Sequence, residues 1–138
     1  MARNMDRWLG DGGMALLASL GVDFTSYSEG EVAGTWIPTE LACNPNGPVQ
    51  GGTFGVVLDG LMTFATLSAL ERGDGCTSLE MKISWMRGAK GGDTLALRGR
   101  VVRMARRVAF CEATVTDGDG ELVASASGTQ LLRRRDPT

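Results

Sequence analysis

Histidine is absent from all 138 residues, and that gap excludes more chemistry than any residue present supplies. Ser-His-Asp and Cys-His hydrolases, His-ligated metal hydrolases and dehydratases with a His general base all need an imidazole. Catalysis here has to rest on carboxylates, hydroxyls, thiols, backbone amides or basic side chains. Cysteine is scarce too. Cys43, Cys76 and Cys111 are an odd number at wide spacings, so they make neither a disulfide framework nor a zinc ligand set. No metal and no separate cofactor is expected, and free thiols suit a reducing cytoplasm. The opening residues, MARNMDRWLGDGG, lack the unbroken apolar stretch of a signal peptide, and no apolar run is long enough for a bilayer. A cytoplasmic address without a membrane partner follows as the expectation. The net charge of -2 gives no global reason to expect nucleic acid. Twelve of the fourteen Lys and Arg nevertheless lie from Arg72 onward, which leaves room for local anion binding in that half.

What is present is the composition of an ordinary globule, 43% hydrophobic and 22% charged. The length suits one domain over residues 1–138, since domains most often run to ~100–150 residues. Apolar residues from Asp6 to Leu20 predict a short N-terminal helix within residues 1–21, interrupted by Gly10, Gly12 and Gly13 and ended by Gly21. Val22 to Tyr27 and Glu31 to Ile37 read as two strands about a Glu29-Gly30 turn. A loop dense in Asn, Pro and Gly follows, and then TFGVVLDGLMTFATLSAL, Thr53 to Leu70, the one long apolar helix candidate. Its apolar residues cover almost the whole circumference, so burial on most sides is expected. Beyond Gly75 the period becomes two. Leu79, Met81, Ile83 and Trp85 mark the inward face of a half-buried strand. Two more strands, TLALRGRVV and Val108 to Thr116, lead to Asp117-Gly118-Asp119-Gly120, a hairpin signal. In the last strand, Leu122 to Leu131, the small residues Ala124, Ala126 and Gly128 would let a helix lie close. Residues 133–138 read as a frayed tail. The simplest packing is an α+β one, an antiparallel sheet wrapped around the long helix.

Two features of the helix segment point to chemistry. A Gly-Gly entering a helix bares backbone N–H groups at the positive end of the macrodipole, where developing negative charge is favoured. Asp59 lies two turns further on in an otherwise apolar stretch, where an ionised carboxylate is costly unless paired or reached by water. From the pattern alone Asp59 is equally a catalytic group or a structural one bridging a subunit interface.

The run from Asn44 to Gly60, NPNGPVQGGTFGVVLDG, resembles the signature of hotdog-fold acyl-CoA thioesterases, in the phenylacetyl-CoA thioesterase-like branch. Members typically show an Asn, five residues, then His-Gly-Gly, with an Asp eight residues after the first Gly. Asn44, Gly51, Gly52 and Asp59 stand at that spacing, and the likeness continues through SLEMKISWMRGAKGGDTL and DGDGELVASASGT. Gln50 stands where most relatives have His. The resemblance implies an acyl-CoA substrate, CoA being part of the substrate, and a homodimer or homotetramer with the active site across an interface. It implies that the Gly51 N–H polarises the thioester carbonyl and that Asp59 acts as general base or nucleophile. Asn44 would position water or the acyl group, with Asn46 its competitor, and Ser78 would assist near the scissile bond. Gln50 is either a donor in place of the His or a loop residue holding the turn. For substrate binding the candidates are Gly52, Trp85, Arg87 and Lys90, and the cluster Arg103, Arg106 and Arg107, since Arg and Lys suit nucleotide phosphates. A non-catalytic acyl-CoA-binding hotdog protein is the alternative that Gln50 keeps open.

Overall fold

The period-two segments pair into one antiparallel sheet. The computed structural model describes residues 2–135. Its strands are β1 (Val22–Ser28), β2 (Glu31–Trp36), β3 (Gly75–Trp85), β4 (Leu95–Met104), β5 (Val108–Thr116) and β6 (Leu122–Arg133), in the order β1-β2-β4-β5-β6-β3. The hairpins β1–β2, β4–β5 and β5–β6 join strands adjacent in sequence. The last of them turns as expected at Asp117, whose Oδ1 accepts the Asp119 and Glu121 N–H groups at 2.9 and 3.0 Å. Among the described residues strand β3 pairs only with β6 and forms one edge of the sheet.

Two short helical pieces replace the single N-terminal helix expected from Asp6 to Leu20. A 3-10 turn covers Asp6–Trp8 and helix α1 covers Ala15–Leu20. Between them Gly12 and Gly13 take φ of +71°, a left-handed backbone that no continuing right-handed helix can contain. Gly21 does cap α1, its N–H reaching the Leu17 and Ala18 carbonyls. The segment is pinned through Tyr27, whose hydroxyl accepts from the Met5 N–H at 2.9 Å and donates to Asp6 Oδ1 at 2.8 Å.

The long helix α2, Gly51–Ser68, begins two residues before the expected Thr53 and packs against the sheet, touching β1 to β6. Close approach is possible because the facing strands carry glycine where the helix crosses. A Cβ on Gly99 would sit 2.8 Å from the Leu61 carbonyl oxygen, and one on Gly128 would sit 3.2 Å from the Met62 methyl. Phe64 is ringed by Trp8, Phe24 and Tyr27 at centroid distances of 5.8, 5.2 and 5.6 Å. Such aromatic pairs add about 0.5–1.5 kcal/mol each beyond their buried area. Trp36 is wholly buried and donates from Nε1 to the Leu20 carbonyl at 2.8 Å. This is the hotdog arrangement.

Helix α2 is buried on most sides, as expected, and the exception is a stripe at helical spacing, Gly52, Val56, Asp59, Gly60 and Thr63, that nothing among the described residues fully covers. Two sequence expectations need correction. Strand β3 keeps Met81 and Ile83 against the core, but Leu79 and Trp85 are 55% and 53% exposed. A bulge between Ser78 and Glu80 breaks the alternation there, and Leu79 falls in it. The start of the tail is tied down rather than frayed. Arg133 ends β6, Arg134 donates to the Arg106 carbonyl at 3.0 Å, and the Arg135 N–H meets Asp74 Oδ1 at 2.7 Å. The rest of that expected tail, 136–138, lies outside the described residues.

Candidate active site

The first turn of α2 is built to leave its amides free. Gln50 is the N-cap at φ -65° and ψ 134°, and its exposed side chain makes no capping bond. No acceptor among the described residues meets the N–H of Gly51 or Gly52. At a helix start such groups are orphans that a substrate oxygen can satisfy. Trp85, at the end of β3, closes over this turn: its Nε1 donates to the Gly51 carbonyl at 3.2 Å. A Cβ on Gly51 would stand 3.6 Å from the indole, and one on Gly52 would meet nothing within 4 Å.

Asp59 is held by side chains from two strands. Ser78 Oγ donates to Asp59 Oδ1 at 2.6 Å, and Gln130 Nε2 donates to Ser78 Oγ at 3.1 Å. Ser78 and Gln130 stand directly opposite each other in the β3–β6 ladder. The bulge that follows Ser78 breaks the inward–outward alternation beside the carboxylate. The carboxylate is half-buried and opens on a cleft of about 730 Å³ floored by Gly52, Val56 and Thr63 and walled by Trp8, Met14 and Leu16. A carboxylate beside an apolar cleft can take a proton from water or attack a carbonyl placed there.

The thiols are poor competitors for that role. Burial, and after it the nearby Cys111 and Asp59, push the Cys76 thiol up to about 11, so almost none of it is thiolate at neutral pH. Burial also raises Cys111, against the opposing effect of its contact with Thr66 Oγ1 at 3.1 Å. Cys43 is half-buried, with its Sγ 3.5 Å from the Thr39 carbonyl oxygen.

The remaining candidates fall into two further places. Asn44 and Lys90 line a separate cleft of about 840 Å³, where Val49 N–H to the Ala89 carbonyl at 2.8 Å ties the two loops together. Asn44 Oδ1 accepts the Asn46 N–H at 2.9 Å, so Asn44 is the residue that builds an Asx turn here and Asn46 supplies only its backbone N–H. Arg87 pairs with Asp117 at 3.5 Å. At the opposite end of β3, Arg106 and Arg107 join Arg133, Arg134 and Arg135 around a corner of about 680 Å³. Arg103, exposed on β4, does not line it. One chain therefore brings Asp59, Ser78 and Gly52 to one cleft, gathers Gln50, Gly51 and Trp85 at the helix start, and keeps the arginine corner apart from both.

Gln130 is the site residue that sequence reasoning missed. Its signal was parity: it continues the inward row Ala124, Ala126, Gly128, where a polar side chain stands out among small apolar ones.

Comparison with known proteins fits this geometry. Human acyl-coenzyme A thioesterase 13 is 28% identical over 132 residues, covering 95% of this chain and 86% of that protein. The structure of a phenylacetic acid degradation-related protein from Ralstonia eutropha JMP134 superposes with a TM-score of 0.81 at 30% identity, over 94% of this chain and 99% of that one. An acetyl-CoA-bound protein of Streptococcus mutans UA159 gives a TM-score of 0.76 at 26% identity, over 83% and 92% of the two chains. The model of the thioesterase superfamily matches residues 46–124, the stretch that carries the glycine turn, Asp59 and Ser78, and the chain belongs to that superfamily.

Proposed function

We propose that this thioesterase hydrolyses an acyl-CoA to the free acid and CoA, with Asp59 as its catalytic carboxylate. The observation that carries the reading is the Asp59–Ser78 pair opening on an apolar cleft along a helix whose first amides are unmet. The acyl group lies in that cleft. A helix amide, that of Gly51, receives the carbonyl oxygen as it becomes the tetrahedral oxyanion. Asp59 either draws a proton from the attacking water, whose oxygen adds to the carbonyl, or attacks the carbonyl itself to give a mixed anhydride that water then opens to the free acid and the Asp59 carboxylate. In both routes the C–S bond breaks with CoA leaving as thiolate, which takes up the proton released from water. Gln50 stands beside the carbonyl position as donor, and Asn44 flanks it from the neighbouring loop.

The two active groups come from different copies of the chain. Gly51 and Asp59 are eight residues apart on one helix, a rise of about 12 Å, whereas the carbon attacked and the oxygen polarised are bonded neighbours. The unpaired edge of β3, eleven residues with Leu79 and Trp85 exposed, is a template for pairing with a second copy. Antiparallel pairing there sets the Thr77 end of one β3 beside the Trp85 end of the other. The arginine corner of one copy then neighbours the Trp85, Arg87 and Lys90 end of the next. Arg106 and Arg107 serve the CoA phosphates, since no carboxylate among the described residues pairs with either. The assembly is a dimer or a dimer of dimers.

The test is a panel of aliphatic and aromatic acyl-CoAs with thiol release followed continuously, run with wild type and Asp59→Asn. Turnover of at least one acyl-CoA that disappears in the variant supports the reading. CoA binding without turnover of any member contradicts it.

A further inference from the structure

We infer that Gln130 is a positioning residue that sets Asp59 for catalysis by controlling which way the Ser78 hydroxyl points. The inference rests on Asp59 being the catalytic carboxylate and concerns how it is held. The polarity of the chain follows from what each group can donate. An ionised carboxylate only accepts, so the single hydroxyl hydrogen of Ser78 goes to Asp59 Oδ1 at 2.6 Å. The Ser78 oxygen is then left as acceptor, and only the NH2 side of the Gln130 amide can meet it, at 3.1 Å. Without that donor the hydroxyl is free to rotate toward other acceptors. With it, Oδ1 is held, and Oδ2, which no donor among the described residues meets, stays available for water or substrate.

The cost of this arrangement is visible on the same side chain. Gln130 is 1% exposed, and its Oε1 has no partner among the described residues. A buried, unmet acceptor is destabilising, and an apolar residue of the same length would remove the penalty. The rest of the inward row of β6, including Gly128 and Leu132, is apolar. A glutamine kept only for packing has no reason to stand there. Its one satisfied contact leads through Ser78 to Asp59.

Gln130→Met preserves length and removes both the donor and the orphan acceptor. The expected kcat falls about tenfold, the loss of one hydrogen bond's worth of orientation. KM stays within about twofold, since the residue touches no substrate. The melting temperature stays level or rises. In a double-mutant cycle, Gln130→Met adds nothing to Ser78→Ala, because the amide acts only through that hydroxyl. Gln130→Glu supplies a second readout: its carboxyl donates only while protonated, so its activity relative to wild type falls as pH rises. An unchanged kcat in Gln130→Met, or losses that multiply with those of Ser78→Ala, overturns the inference. Asp59→Asn run alongside separates the levels. Full turnover in that variant removes the underlying reading, whereas an inactive Asp59→Asn beside a fully active Gln130→Met removes Gln130 alone.

Discussion

Helix α2 carries two polar stations on its first three turns, and they are made by opposite means. At Gly51 and Gly52 the backbone is bare: among the described residues no side chain caps the turn, no acceptor meets the amides, and Trp85 lies against one side only. At Asp59 the backbone is ordinary helix, and the polar group is a side chain steadied from two strands by Ser78 and Gln130. The first station works by omission and needs nothing beyond local sequence. The second works by addition, from residues 19 and 52 positions apart along the chain in successive hydrogen bonds. Stabilising an oxyanion requires fixed dipoles that pay no reorganisation, which a helix start supplies. Handling a proton requires a group whose orientation is held while its charge changes, which a supporting network supplies.

That contrast predicts unequal losses. The largest belongs to the carboxylate. Asp59→Asn keeps the volume and the bond to Ser78 but can neither accept a proton nor attack, so kcat should fall by about 10²–10⁴. KM and CoA binding by calorimetry should stay near wild type. Loss of binding in step with turnover would instead make Asp59 a structural residue.

Gly51→Pro tests the other station alone. Proline is tolerated at the first position of a helix, and Gln50 already has the extended ψ of 134° that a residue before proline prefers. The substitution deletes one N–H and leaves the helix, so kcat should drop by roughly 10²–10³ with little change in melting temperature. Unchanged turnover would move the oxyanion donor to Gly52 or Gln50.

The smallest effect is expected far from both stations. Replacing Arg106 and Arg107 together by Ala should raise KM by roughly three- to tenfold and leave kcat intact, because exposed charge pairs are worth little each. Added salt should reproduce part of that rise in wild type and less in the variant. If KM and its salt dependence do not move, the phosphates lie instead against Arg87 and Lys90.

The same contrast marks how much could be read from the sequence. The glycine turn, the helix behind it and Asp59 were all legible because they are contiguous and their spacing is their signal. The hairpins β1–β2 and β5–β6 were legible for the same reason, each with its own turn residues, Glu29-Gly30 and Asp117 to Gly120. Gln130 was not, since its role depends on β3 crossing to the far edge of the sheet and pairing with β6 at a register no local pattern encodes. The bulge at Leu79 was hidden likewise, and it misdirected the inward face of β3. Leu79 was expected inside by alternation and is outside because one extra residue is inserted there. The N-terminal segment failed in the other direction. Its apolar spacing suited a helix, but Gly12 and Gly13 are used at positive φ, which periodicity does not register.

The central claim is that one active site draws Gly51 from one copy of the chain and Asp59 from another. Its most direct test mixes the two inactive variants, Gly51→Pro and Asp59→Asn, by joint refolding and measures thioester hydrolysis. A hybrid dimer holds one site with both groups intact and one with neither. Random pairing of equal amounts should therefore restore about a quarter of wild-type activity per chain. A mixture no more active than its two components kept apart would contradict the account and place the whole site within a single chain.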